Sequence, residues 1–152
     1  MKISKATIII MTIFIWIGFI CAISFMESWL KFLAPGITIP LGLGIGRLVF
    51  SVLNKVEWVM AAIVMVNLIL MQKRIIRKRN FTYFSSLIIL VVETFLLLPL
   101  MDARAQLRMS GVEVPSSNLH IWFVIAEMIK VICLFLFGLS FLKFSINEFE
   151  NR

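Results

Sequence analysis

Between His120 and Lys130 the chain reads HIWFVIAEMIK, three ionisable side chains inside a strongly apolar run. On a helix at 100° per residue, Glu127 lies about 20° from His120, and Lys130 about 60° from Glu127. One face would then carry an imidazole, a carboxylate and an ammonium. These are the groups of proton transfer, ion pairing and headgroup binding. Other apolar segments carry Glu27, Glu57 and Glu93. Arg47, Asn54 and Glu57 follow i, i+7, i+10 spacing and can share a face. Glu93, Leu97, Leu100 and Arg104 share another if the helix continues past Pro99, which could kink it.

Four kinds of chemistry fit such a set. The structural one is buried pairing: Glu127 with Lys130, and Glu57 with Arg47 or Arg104. A metal site would draw on carboxylates from several helices, as carboxylate-bridged bundles do with Glu-x-x-His. No histidine follows a glutamate at that spacing here, and the chain has 1 His. No metal is therefore assigned, and the cofactor is left unknown. Acid–base or binding chemistry on a lipid-borne substrate would use Glu93 or Glu127 as general acid or base, with Glu57 nearby and His120 as relay. Arg47 and Arg104 would hold an anionic headgroup, with Asn54, Lys130 and Glu27 as further binding groups. A proton-coupled path is the fourth, although it should place ionisable groups across the whole bilayer. Cys21 and Cys133 lie in apolar segments and read as inert core residues.

The elements that must position these groups are membrane spans. Of 152 residues, 61% are hydrophobic, and mean hydropathy is +1.03. A soluble domain runs nearer half apolar. The expected fold is an all-α, four-transmembrane-helix bundle forming a single membrane domain, with spans about 6–26, 50–71, 81–101 and 119–142. The run Ala6–Met26 exceeds the roughly 7–15 residues of a signal-peptide core, so it reads as a retained helix. Ser28 to Gly46 is apolar but broken by Pro35, Gly36 and Pro40, then by Gly42, Gly44 and Gly46. It is expected to be an interfacial or re-entrant loop. The charge-free run Trp58–Met71 is too short for about 20 spanning residues. The second span must reach back and carry Asn54, Lys55 and Glu57 into the bilayer, with Lys55 free to snorkel. Asp102–Asn118 reads as an exposed loop.

Charge sets the orientation. Lys2, Lys5, Lys73, Arg74, Arg77, Lys78, Arg79, Lys143 and Arg152 fall on one side, which the positive-inside rule makes cytoplasmic, with both termini. In the other half, Lys31, Arg47, Lys55, Arg104, Arg108 and Lys130 balance Glu27, Glu57, Glu93, Asp102, Glu113 and Glu127. The net charge of +7 thus reads as cytoplasmic anchoring, and nucleic acid is not an expected partner. Counted from the outer ends, Glu93 and Glu127 lie roughly 12 Å deep and Glu57 about 8 Å deep. Such charges are costly in lipid unless they face one another. The expectation is a pocket open to the outer leaflet of a bacterial inner membrane. It would bind a membrane lipid or lipid-linked molecule, and the chain could form a homo-oligomer.

Two resemblances attach to particular residues. Gly18-x-x-x-Ala22, Pro40, Arg47–Phe50 and Leu119–His120 together resemble a bacterial four-span family of unknown function, itself similar to a eukaryotic transmembrane protein linked to platinum-drug resistance. That likeness implies four helices and no established activity. Arg47 followed by Asn54-Lys55-Val56-Glu57 resembles the second-helix signature of the membrane-associated eicosanoid and glutathione enzymes. It implies a glutathione-type site at Asn54, Glu57 and Arg47. The arginine stands further from Asn54 than in those enzymes, and the charge bias puts this end outside, where theirs is cytoplasmic.

Overall fold

The computed structural model describes residues 5–71 and 80–150, with side chains through Ile146. Most of the basic run after Met71 lies outside the described residues, as do Lys2 and Arg152. Among the described residues there is no strand. Four long helices carry the fold: α1 (Lys5–Leu33), α2 (Ile39–Met71), α3 (Phe81–Met109) and α4 (Leu119–Glu150). Each is long and apolar enough to cross a membrane. Lys5 Nζ donates to the Leu70 carbonyl (3.2 Å), so the start of α1 lies beside the end of α2. The Tyr83 hydroxyl donates to the Ala61 carbonyl (2.7 Å), tying the start of α3 to the middle of α2.

The loop expected between the first two helices is corrected. Ser28–Leu30 continues α1 as an α-helical turn and Lys31–Leu33 as a 3₁₀ turn, while α2 begins at Ile39. Only the short stretch around Pro35 and Gly36 is irregular. Pro40 sits in the first turn, where its missing N–H is no loss. Thr38 caps that turn, its hydroxyl accepting from Leu41 N–H (3.4 Å) and its carbonyl from Gly42 N–H (2.9 Å). The three glycines lie within α2, and the end of α1 packs against two of them, Gly42 and Gly46. The Phe32 ring lies so close to Gly42 that a Cβ there would overlap it, and Lys31 Nζ would stand 2.9 Å from a Cβ on Gly46. That close packing offsets the roughly 1 kcal/mol that each glycine costs a helix.

α3 also outruns its expected bounds, ending at Met109 rather than Met101. Gly111, at φ 82°, closes it: its N–H meets the Arg108 carbonyl and the Val112 N–H meets the Leu107 carbonyl. Pro99 does not break the helix. It follows a π-helical segment, Glu93–Leu97, in which the Leu98 N–H reaches the Glu93 carbonyl. The wider turn accommodates the missing N–H and the ring that would crowd the preceding turn. α1 has a second such segment, Cys21–Glu27.

Apolar packing falls into two layers. The deeper one joins Ile9, Ile13, Trp16 and Ile20 of α1 to Ala61, Val64, Leu68, Tyr83, Leu90, Leu134, Phe137 and Phe141. The second, nearer the inter-helix connections, is Phe50, Leu53, Leu97 and Phe123. Phe50 and Phe123 meet edge to face, with ring centroids 5.2 Å apart.

Candidate functional site: a buried ionic cage beneath an open cavity

Between the two layers lie four charged side chains, none more than 2% exposed: Glu57, Glu93, Glu127 and Lys130. Lys130 Nζ is the centre. It lies 2.6 Å from Glu57 Oε1 and 3.0 Å from Glu127 Oε2, and it donates to Glu93 Oε2. Its ammonium thus stands against three carboxyls, from α2, α3 and α4. Trp16 Nε1 of α1 donates to Glu57 Oε1 (3.0 Å), and Ser24 Oγ of α1 donates to Glu127 Oε1 (3.2 Å). All four helices therefore meet at one polar point. Both π-helical segments border it, since Ser24 lies in one and Glu93 opens the other.

The cage is not electrically balanced. Three carboxylates around one ammonium leave two formal negative charges. Within apolar surroundings that calls for further positive charge, as protons or a bound cation. Glu93 Oε1 is buried without a hydrogen-bond donor among the described residues. Glu127 Oε2 is in the same position, so its contact with Lys130 is electrostatic rather than an aligned hydrogen bond. Oxygens of the three carboxyls lie within 4.8 Å of one another, close enough to share a metal ion. Lys130 Nζ stands against all three, where such an ion would have to sit. The set fits a metal only if that ammonium moves away.

Beside the second apolar layer, and sharing Phe50 with it, is an open cavity of about 1020 Å³. It is bounded by the end of α1, by α2 and α3, and by His120 at the start of α4. Phe32, Leu43, Leu98 and Met109 give it apolar walls, and Lys31, Arg47, Lys55, Arg108, Asp102 and His120 give it charge. Arg47 pairs with Asp102 through two nitrogens, the Nη2–Oδ2 distance being 3.1 Å. Lys31 pairs with Glu27 (3.2 Å). Asn54 donates to Thr94 Oγ1 (2.9 Å) at the cavity wall.

The residues expected to share one pocket thus fall into two groups. Glu57, Glu93, Glu127 and Lys130 form the cage and do not line the cavity. Arg47, Asn54 and His120 line it, with Glu27 behind Lys31. Two expected pairings are corrected. Glu57 pairs with Lys130 rather than Arg47 or Arg104, because those arginines sit nearer the connection end. Arg47 instead takes Asp102, and Arg104 donates to the Pro115 carbonyl beside a smaller recess. Asn54 and Glu57, implied to share a glutathione-type site, part company: Asn54 lines the cavity, and Glu57 is buried against Lys130 and does not. Trp16, Ser24 and Thr94 were not foreseen. Their signal was a lone polar group within apolar sequence at matching depth. No family model, no curated protein and no solved structure matches this chain.

Proposed function

We propose that this is a multi-pass membrane protein whose cavity binds an amphiphilic or lipid-linked ligand at the outer leaflet, with both termini cytoplasmic in a bacterial inner membrane. The observation that carries the reading is the cavity itself. At about 1020 Å³ it is at the upper end of small-ligand sites, and it joins apolar walls to a charged wall at one end of four span-length helices. A ligand with a tail and a polar head matches both surfaces. The cage side chains are buried and none of them lines that space, which favours binding over catalysis by Glu93 or Glu127 on a cavity ligand. We carry the kinship with the four-span family of unknown function as part of the same proposal.

Native mass spectrometry of the protein in a nonionic detergent tests it. Lipid should be retained near one per chain, and Ser51→Trp, at the cavity wall, should remove it without lowering the thermal midpoint. Equal retention by that variant, or no retained lipid in the parent, would sink the reading. The orientation predicts that Ser116→Cys, in a chain lacking Cys21 and Cys133, reacts with an impermeant maleimide on intact spheroplasts. Reaction only after the membrane is opened would reverse the orientation and return the glutathione-enzyme alternative.

A further inference from the structure

The buried cage carries a charge problem that its geometry can answer. Its polar groups come from all four helices and converge around Lys130 Nζ. α1 supplies the neutral donors Trp16 and Ser24, α2 supplies Glu57, α3 supplies Glu93, and α4 supplies both Glu127 and Lys130. Fully ionised, three carboxylates and one ammonium sum to two negative charges, in a place where none of the four side chains is more than 2% exposed. An apolar interior does not hold such an excess, and carboxyls packed this closely keep protons instead. A cation could also cancel it, but Lys130 Nζ already stands against all three carboxyls. Protons need no such room.

The hydrogen bonds distinguish the anion from the acids. Glu57 Oε1 faces two donors, the Lys130 ammonium at 2.6 Å and the Trp16 indole N–H at 3.0 Å. Donors of this kind stabilise a carboxylate. Glu93 and Glu127 each accept a hydrogen bond on one oxygen, from Lys130 and Ser24 respectively. Their other oxygens, Glu93 Oε1 and Glu127 Oε2, are buried without a hydrogen-bond partner among the described residues. A carboxylate oxygen in that position lacks a donor it requires, whereas a protonated one is itself a donor. One oxygen from each of the three carboxyls lies within 4.8 Å of the others, so acceptors for such an O–H stand in the same cluster. We infer that the cage is a two-proton site: Glu93 and Glu127 each hold a proton, and Glu57 alone answers Lys130 as a carboxylate. The cage is then neutral. Glutamine presents N–H where the acid presents O–H, so it is the close mimic of Glu93 and Glu127 in this state and not of Glu57.

Side-chain carboxyl carbons read the protonation directly, because the carbon of an acid resonates upfield of that of a carboxylate. The full-length protein, isotope-labelled at glutamate and held in nonionic detergent at pH 7.5, is measured with each carboxyl carbon assigned through its own backbone. Glu93 and Glu127 should resonate as acids and Glu57 as a carboxylate. In Lys130→Met, Glu57 should join the acids. The double variant Glu93→Gln/Glu127→Gln should keep Glu57 as a carboxylate and shift the thermal midpoint by no more than about 4 °C. Adding Glu57→Gln to that pair should lower the midpoint by roughly 10 °C, since Lys130 is then buried alone. If Lys130→Met does not fold, the double variant still decides. Three carboxylates in the parent protein overturn the proposal, and about one metal ion per chain in the same sample would assign the missing charge to a cation. Glu57 as an acid in place of Glu93 or Glu127 overturns the choice of anion. A larger midpoint shift in the double variant also overturns the proposal, upward if the two carboxyls were ionised and repelling, downward if they held a cation.

Discussion

Lys130 decides the chemistry of the buried centre, because three carboxyls depend on it. Lys130→Met keeps the length and removes the charge. It should destabilise the protein by about 3–5 kcal/mol, as removing one partner of a buried pair does. Glu57→Gln in the same chain should recover part of that loss, since one fewer carboxyl is then left unmatched. Thermal midpoints of the two single variants and the double variant, in one detergent, measure this coupling. Simple additivity would mean that the two residues do not interact. At this scale the sequence was partly legible. Helical spacing put Glu127 beside Lys130, and depth counting put Glu93 level with Glu127 and left Glu57 shallower than both. Partner choice was not legible, because spacing fixes a face and a height but not which neighbouring helix stands opposite. His120 shows the same limit. It shares Glu127's face but lies seven residues away, about 10 Å along the axis, and it opens into the cavity instead.

The helices themselves were legible in number and type, but their ends were not. Proline and glycine read as breakers in Ser28–Gly46, yet Pro40 occupies a first turn, and the glycines let the end of α1 settle on α2. Local composition cannot report a contact made by a segment outside it. That contact makes a graded prediction. Gly42→Ala should cost about 1–3 kcal/mol, because its methyl would overlap the Phe32 ring. At Gly46 the methyl meets only the tip of Lys31, and at Gly44 the nearest atom is Met109 Cε at 3.4 Å. Alanine at those two positions should be neutral or stabilise by up to about 1 kcal/mol through helix propensity. Chemical or thermal unfolding of the three variants checks the order, and equal effects at all three positions would refute the packing account. The π-helical segments left fainter traces. Pro99 marks one, as the residue that the Glu93–Leu97 turn must accommodate. Nothing local marks Cys21–Glu27.

Over the whole molecule, charge is sorted radially as well as by side. The six cations and six acids of the connection half balance when summed by depth, and on that sum the protein has no preference for anions. The fold divides them: three of the acids go to the axis with a single lysine, and the cavity keeps a cationic excess. A sum over depth could not see this, because it ignores distance from the bundle axis. The same arrangement has a consequence for the order of synthesis. α2 and α3 leave the ribosome carrying Glu57 and Glu93, and the cation that answers them arrives only with α4. On the membrane reading proposed above, the nascent bundle would until then present unanswered carboxyls to lipid, a state that membrane quality control can read. A chain ending at Asn118 should therefore be short-lived in a pulse-chase experiment. Supplying residues 119–152 as a separate polypeptide should lengthen its half-life, and the Lys130→Met form of that polypeptide should not. Equal rescue by both would show that the last helix completes assembly by its bulk alone. If only the lysine form rescues, Lys130 serves as the chain's signal that its translation has reached the final helix.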